Sequence, residues 1–236
     1  MDNNLRKVQL KCLKAFSGKA KNFALAGGTA LELYYLHHRF SFDLDFFSTS
    51  YELEEIDSLV VELQKALDAP LKLENELSLP QKAKIRFYTA MFDNLERPLK
   101  LDFVQDVFFK KPKIEKFKGV RVYSAENIYM QKIIAISGLE PEIDEVGKEL
   151  MHGRMQARDV FDLYMLSKKI EPLHIFLKSV SSQLQRGLIH WYRAFPREEM
   201  KLALLDLEIY DPTFDSRQMI AYLESEIKTF IKEVVP

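Results

Sequence analysis

Hydrophobic positions along the first half of the chain recur at two spacings, and the switches between them mark out the elements. Over residues 4–18, Leu5, Val8, Cys12, Leu13 and Phe16 follow a helical period that Ser17-Gly18 ends. Phe23 to Ala26 is a short apolar strand. Thr29 to His37, with Leu31, Leu33, Tyr34 and Leu36, is helical again, and Phe42 to Phe47 alternates as a strand. Glu52 to Leu67 returns to helical period, with Glu54, Glu55 and Asp57 near the start, where the helix dipole favours acidic side chains. From Leu71 the pattern shortens. Leu71–Leu77, Ala83–Phe92 and Leu99–Val104 predict three strands, punctuated by Pro80 and Asp93-Asn94, and their hairpin spacing pairs them antiparallel. Val120–Tyr123 predicts a short edge strand.

Beyond this point the pattern is almost wholly helical. Ser124 stands as the N-cap of a helix running through Met130, Ile133 and Ile134, and further helices are expected over 155–169, 172–185, 187–194, 197–206 and 215–233. Between them, residues 138–153 carry Gly138, Pro141, Gly147 and Gly153 and predict a long loop, of the kind associated with mobility or function. The fold class expected is α/β (α+β): a mixed β-sheet core flanked by helices, then a mostly helical C-terminal part. The shift in pattern puts the boundary between residues 1–123 and 124–236.

Composition narrows the picture in three ways. The 236 residues, 47% apolar and 29% charged, suit one large domain or two small ones with an ample core. The net charge of −1 gives no global field toward polyanions, so any such contact rests on local patches: Lys110, Lys111, Lys113, Lys116 and Lys118; His37-His38-Arg39; and Lys82, Lys84 and Arg86. A solvated surface is the simpler account of the first patch. Cys12 is the only cysteine, which excludes an internal disulfide and Cys-rich zinc sites. The N-terminus has no signal-like apolar segment, and no apolar run approaches the roughly 20 residues of a membrane span. A cytoplasmic protein without a membrane partner is expected.

The chemistry concentrates between Leu25 and Phe47. Gly27-Gly28-Thr29 offers backbone N–H groups and a hydroxyl where a helix begins, a ready site for phosphate. Asp43 and Asp45 lie two apart on a strand and share a face, while Leu44 and Phe46 point the other way. Paired like charges call for a cation, and carboxylate oxygens completed by phosphate oxygens suit Mg²⁺. Asp102, between Leu101 and Phe103, leaves the apolar layer in the same manner, although an Asp at a strand end is also a common turn former. If the two strands are neighbours, three carboxylates meet and can hold two Mg²⁺, with Asp102 near an incoming hydroxyl. Arg39 and Ser41 lie between cradle and carboxylates, where a guanidinium could meet a triphosphate oxygen. His37 and His38 read as surface residues of that loop, and His152, His174 and His190 as isolated structural ones. Trp191, Tyr192 and Phe195 read as core or helix packing. No Ser-His-Asp arrangement and no Walker-type Gly-Lys-Thr/Ser is present.

The run GGTALELYYLHHRFSFDLDFF resembles the signature of the AbiEii/AbiGii-toxin-like nucleotidyltransferases, a branch of the polymerase-β-like superfamily. That pattern, a Gly-Gly/Ser turn, Asp-x-Asp and a later single Asp, falls here on Gly27, Gly28, Asp43, Asp45 and Asp102. A helix lysine and an Arg-x-x-x-(Lys/Arg)-Asp-x-x-Asp-Leu helix are matched by Lys132 and by Arg154-Met-Gln-Ala-Arg158-Asp159-Val-Phe-Asp162-Leu163, so the likeness covers roughly residues 20–166. Arg158 and Asp162, four apart on a helix, could equally form a simple pair. The resemblance implies a nucleotidyltransferase-type sheet core whose active-site cleft the helical C-terminal region completes. It also implies Mg²⁺-dependent transfer of an NMP from an NTP to a hydroxyl acceptor: tRNA, another RNA or a protein. In that reaction Gly27, Gly28 and Thr29 hold the triphosphate, Asp43 and Asp45 the metals, Lys132 the phosphates, and Asp159 supports the centre. Asp102 completes the second metal site or acts as base. Family members include toxins of type IV toxin–antitoxin or abortive-infection pairs, with the antitoxin encoded separately. The rival readings are a non-catalytic NTP-binding module acting through conformational change and an interaction role of the helical part.

Overall fold

The strand pattern becomes one seven-stranded sheet in the computed structural model of the chain, which describes residues 2–78, 83–138, 141–143, 149–151, 153, 154 and 156–234. Two units divide these residues. The first comprises residues up to 35 and 41–124, and the second comprises 36–40 and 125 onward. Pro80, Lys82, Gly147 and His152, singled out in the sequence, lie outside the described residues. None of the described helices is long and apolar enough to cross a membrane.

In the first unit, α1 (Asn3–Phe16) leads to β1 (Ala24–Ala26) and α2 (Gly27–Ala30), which continues as a π-helical stretch, Leu31–Leu36. Then come β2 (Asp43–Ser48), α3 (Leu53–Leu67), β3 (Lys72–Leu77), β4 (Ile85–Ala90), β5 (Leu99–Gln105), β6 (Ile114–Phe117) and β7 (Val120–Tyr123). Across the sheet the order is β3-β4-β5-β2-β1-β7-β6. The β3–β4 and β4–β5 pairs are antiparallel, as the hairpin spacing predicts, whereas β2–β5 and β1–β7 are parallel. One strand escapes the sequence pattern: β6 is four residues of lysine-rich chain with no apolar alternation. Its presence moves β7 from the edge to an inner position.

Local chemistry explains the element ends. The Asp2 carboxylate caps α1 by accepting from the Asn4 and Leu5 N–H groups at 3.1 and 2.8 Å. Glu55 in the first turn of α3 reaches out of its helix to accept from the Lys21 and Asn22 N–H groups, which fixes the loop before β1. One face of the sheet is lined by Leu44, Phe46, Leu101 and Phe103, all fully buried. Phe46 stacks on Phe16 of α1 at 4.1 Å, and Phe103 meets Phe46, Phe23 and Tyr88 at 5.5, 5.3 and 5.9 Å. Arg86 of β4 reaches Asp57 of α3 on the same side. The apolar face therefore packs on α1 and α3, and the opposite face carries Asp43, Asp45 and Asp102 together with Phe47 and Phe87.

The second unit holds α4 (Ala125–Ser137), a two-stranded pair β8 (Pro141–Ile143) and β9 (Glu149–Met151), then α5 (Ala157–Lys169), α6 (Leu173–Phe176), a 3-10 turn Leu177–Ser179, α7 (Ser182–Ala194), α8 (Arg197–Leu204) and α9 (Ser216–Val234). The expected loop over 138–153 is thus partly a strand pair. The helices expected over 172–185 and 187–194 also divide elsewhere. The break falls at Val180, where Ser181 caps α7 by accepting from the Leu184 N–H, and Gly187 is a buried residue inside α7. A glycine where helices pack reads in sequence like a helix end. Trp191 and Phe195 stack at 4.7 Å and are buried, the packing role expected of them.

Phe103 is the hub of the aromatic core. Phe103→Ala should lower the unfolding free energy by about 3–5 kcal/mol in urea titrations, against less than about 0.5 kcal/mol for the exposed Leu205→Ala.

Candidate active site

The register of the sheet sets three carboxylates side by side. In the parallel β2–β5 ladder Asp45 is the direct partner of Asp102, and Asp43 is the partner of Lys100. Residues paired across strands share a face, so Asp43, Asp45 and Asp102 stand together on the side opposite Phe46 and Phe103. All three are partly exposed, whereas their strand neighbours Leu44 and Leu101 are fully buried. Adjacent strands lie about 4.8 Å apart, which puts the Asp45 and Asp102 carboxylates within the span of one hydrated divalent ion.

On the other side of Asp45 lies β1, with Ala26 in register. Gly27 follows at φ +67°, and a Cβ there would sit 2.3 Å from Asp45 Oδ2. The left-handed backbone favours glycine, and any side chain there would push the Asp45 carboxylate from its place. Ala26, at the start of α2, supplies no side-chain cap; Gly27 is half-buried there beside Asp45, while Gly28 and Thr29 are buried.

Buried polar groups fix the chain entering β2. The Thr29 hydroxyl donates to the Asp43 carbonyl. Gln9, fully buried, donates to the Ser41 and Phe42 carbonyls at 3.0 and 2.8 Å. Glu32 accepts from the Ser41 N–H at 2.8 Å and pairs with Arg6. Thr29 and Ser41 are themselves buried, so both are placed to hold β2.

The second unit gathers Arg39, Lys132 and Asp159 with Asp162 of the motif helix and with His38. Arg39 forms a bidentate pair with Asp162 at 2.7 and 2.8 Å. His38 Nε2 meets the same carboxylate at 2.7 Å, with its ring stacked on Phe161. Lys132 Nζ lies 2.6 Å from Asp159 and 2.8 Å from Asp162. Half-exposed Arg154 reaches Asp159 at 3.4 Å. His37 is exposed, but His38 is buried, which corrects the expectation that both are surface residues. Asp162 pairs with Arg39 and Lys132, and Arg158 turns to Gln156. The i,i+3 spacing of Asp159 and Asp162 was the available sequence signal, because it aligns both carboxylates on one helix face. Gly153 anchors the approach to α5: a Cβ there would fall 1.7 Å from the Ile136 carbonyl oxygen. Of the remaining histidines, His174 pairs with Glu226 at 2.8 Å.

Burial alone would raise the Asp162 carboxyl, but Arg39, Lys132 and His38 outweigh it and hold the group well below the usual carboxylate range. Burial alone would lower the Lys132 ammonium, and Asp162 and Asp159 outweigh it so that it is raised. Asp162 therefore contributes stability above its unfolded value of about 3.9 and loses it as pH falls toward its folded one, whereas the Lys132 contribution is lost only in strong alkali.

Oxygen donors on an open sheet face, beside a helix start able to take phosphate, fit a hard cation such as Mg²⁺. Among the described residues, no group of three or more His, Cys, Asp or Glu side chains is arranged to hold a metal ion without further ligands, so phosphate oxygens would have to complete the shell. Removing one partner of the buried network should be costly: Asp162→Ala should lose about 3–5 kcal/mol by urea denaturation. Asp162→Asn should make the loss of stability below about pH 4 shallower than in the wild type, measured by urea denaturation across pH.

Comparison with known proteins identifies the fold and the family. A candidate nucleotidyltransferase from Helicobacter pylori shares 20% identity over 99% of this chain and 96% of its own, with a TM-score of 0.62. JHP933 from Helicobacter pylori shares 20% identity over 98% and 93%, with a TM-score of 0.58. Both likenesses show the fold. No curated protein matches. The model of the family described as nucleotidyl transferase AbiEii toxin, type IV TA system, matches residues 10–232. The chain belongs to the AbiEii nucleotidyltransferase toxin family.

Proposed function

We propose that the chain is a cytoplasmic, Mg²⁺-dependent enzyme that transfers an NMP from an NTP to a hydroxyl on RNA and acts as the toxin partner of a separately encoded antitoxin. The observation that carries this reading is the parallel pairing of Asp45 with Asp102 beside Gly27. The first N–H groups of α2, at Gly27, Gly28 and Thr29, receive the triphosphate. Asp43, Asp45 and Asp102 hold the metal, two ions when both sites fill. Bound Mg²⁺ supplies electrostatic stabilisation of the charge that grows on the phosphate oxygens. Asp102, the carboxylate farther from the glycine turn, takes the proton of the acceptor hydroxyl. The acceptor oxygen bonds to the α-phosphorus as the bond to the bridging oxygen breaks, and pyrophosphate leaves with that electron pair.

The second unit contributes order. Arg39 on Asp162 secures residues 36–40, which join the helix carrying the glycine turn to the strand carrying Asp43 and Asp45. Lys132, which the resemblance assigns to the phosphates, is nearly buried with its charge met by two aspartates. We infer that Lys132 and Asp159 first set the position of α4 on α5, and that Arg154, half-exposed on Asp159, is the more available cation.

Protein incubated with Mg²⁺, each labelled NTP, total RNA and protein extract should label RNA, and EDTA should stop the reaction. Asp45→Asn and Asp102→Asn should each reduce transfer by at least about 10²–10³-fold, with melting temperature unchanged or raised because like charges are relieved. Absence of transfer to any acceptor by folded wild-type protein would contradict the proposal. Unaltered activity in Asp102→Asn would remove that residue from the chemistry.

A further inference from the structure

The carboxylate face continues past Asp102 in a direction that the reaction has not yet used. Read across the sheet at one level, the paired residues run Ala26, Asp45, Asp102, Phe87 and Asn75, from β1 to the edge strand β3. Phosphate enters at the glycine end of this row. The hydroxyl to be modified meets Asp102. The positions beyond Asp102 therefore belong to the acceptor.

Phe87 is the first of them. It shares the open face with Asp102, and it is partly exposed, whereas its strand neighbour Tyr88 is buried in the aromatic core on the other face. Helices α1 and α3 cover that other face, so the Phe87 ring fills no part of the core they make. Asn75, exposed at the sheet edge, adds an amide able to hydrogen-bond a base edge. Lys100, exposed and two residues before Asp102 on the same face, adds a cation for a phosphate. A flat ring, an amide and an ammonium around a carboxylate match the face and edge of a base, its phosphate and the sugar hydroxyl.

We propose that Phe87 is the stacking platform for the terminal base of an RNA acceptor, with Asn75 at the base edge and Lys100 at the adjoining phosphate. The inference rests on the transfer reading for its direction, but the binding it describes can be measured without turnover. The probe is a fluorescein-labelled single-stranded RNA 10-mer of mixed sequence, followed by anisotropy at fixed salt. Phe87→Ala should weaken binding about 10-fold, and Phe87→Tyr should restore it. Calorimetric affinity for Mg²⁺-ATP should be the same in all three proteins, which also establishes that the variants are folded. RNA affinity indifferent to Phe87 would overturn the proposal, as would loss of nucleotide affinity in its place. Transfer that persists while RNA binding ignores Phe87 removes the stacking site alone. RNA binding that depends on Phe87 in a protein that transfers nothing removes the transfer reading alone.

Discussion

Strand β2 lies parallel to β5 with Asp45 opposite Asp102, and this register is what the chemistry of the chain depends on. Placing two carboxylates side by side opposes folding in the absence of a cation, so something else must enforce the pairing. The other face of the same strands does so. Phe46 and Phe103, in register with one another, are fully buried against Phe16, Phe23 and Tyr88. A slip of one residue would turn those rings to the open face and drive the aspartates into the aromatic core. The apolar face sets the register, and the polar face inherits the charge cluster.

A second constraint acts on the chain entering β2. Gln9, Glu32 and Thr29 are all buried and all spend hydrogen bonds on the backbone from Ser41 to Asp43. The residues just before, 36–40, belong to the other unit, where Arg39 and His38 converge on Asp162 and the Phe40 N–H bonds the Glu208 carbonyl at 2.9 Å. The stretch between the glycine turn and Asp43 is thus held by directional bonds, which suits a site whose geometry must survive repulsion. Gly27 meets the same requirement through shape, since the Asp45 carboxylate occupies the volume a Cβ would need.

Much of this was legible in the sequence because periodicity reports apolar faces. The helix at 3–16, the strands at 43–48 and 99–105, and the shared orientation of Asp43, Asp45 and Asp102 all follow from residues that alternate around a buried layer. Elements formed for other reasons were not legible. Strand β6 has Lys116 and Glu115 where alternation would show, and it is fixed by pairing with β7 and by Phe117 against the Tyr34 and Tyr35 rings, contacts that no alternation announces. The π-helical stretch Leu31–Leu36 looks like ordinary helix, since the extra residue per turn leaves no mark in so short a run. The motif helix shows Asp162 in sequence with only a nearby i,i+4 partner, Arg158, while its partners in the fold lie far away in the chain, at Arg39 and Lys132. His38, expected at the surface, turns inward to Asp162, and only a fold can show which loop residue does so.

The central claim is that the paired aspartates form a metal site beside the glycine turn. The most direct measurement is anomalous diffraction from crystals grown with Mn²⁺ and a non-hydrolysable NTP. A manganese peak bridging Asp45 and Asp102, with the triphosphate running toward Gly27 and Gly28, is the result this account predicts. Nucleotide bound elsewhere, or manganese without contact to either carboxylate, would contradict it.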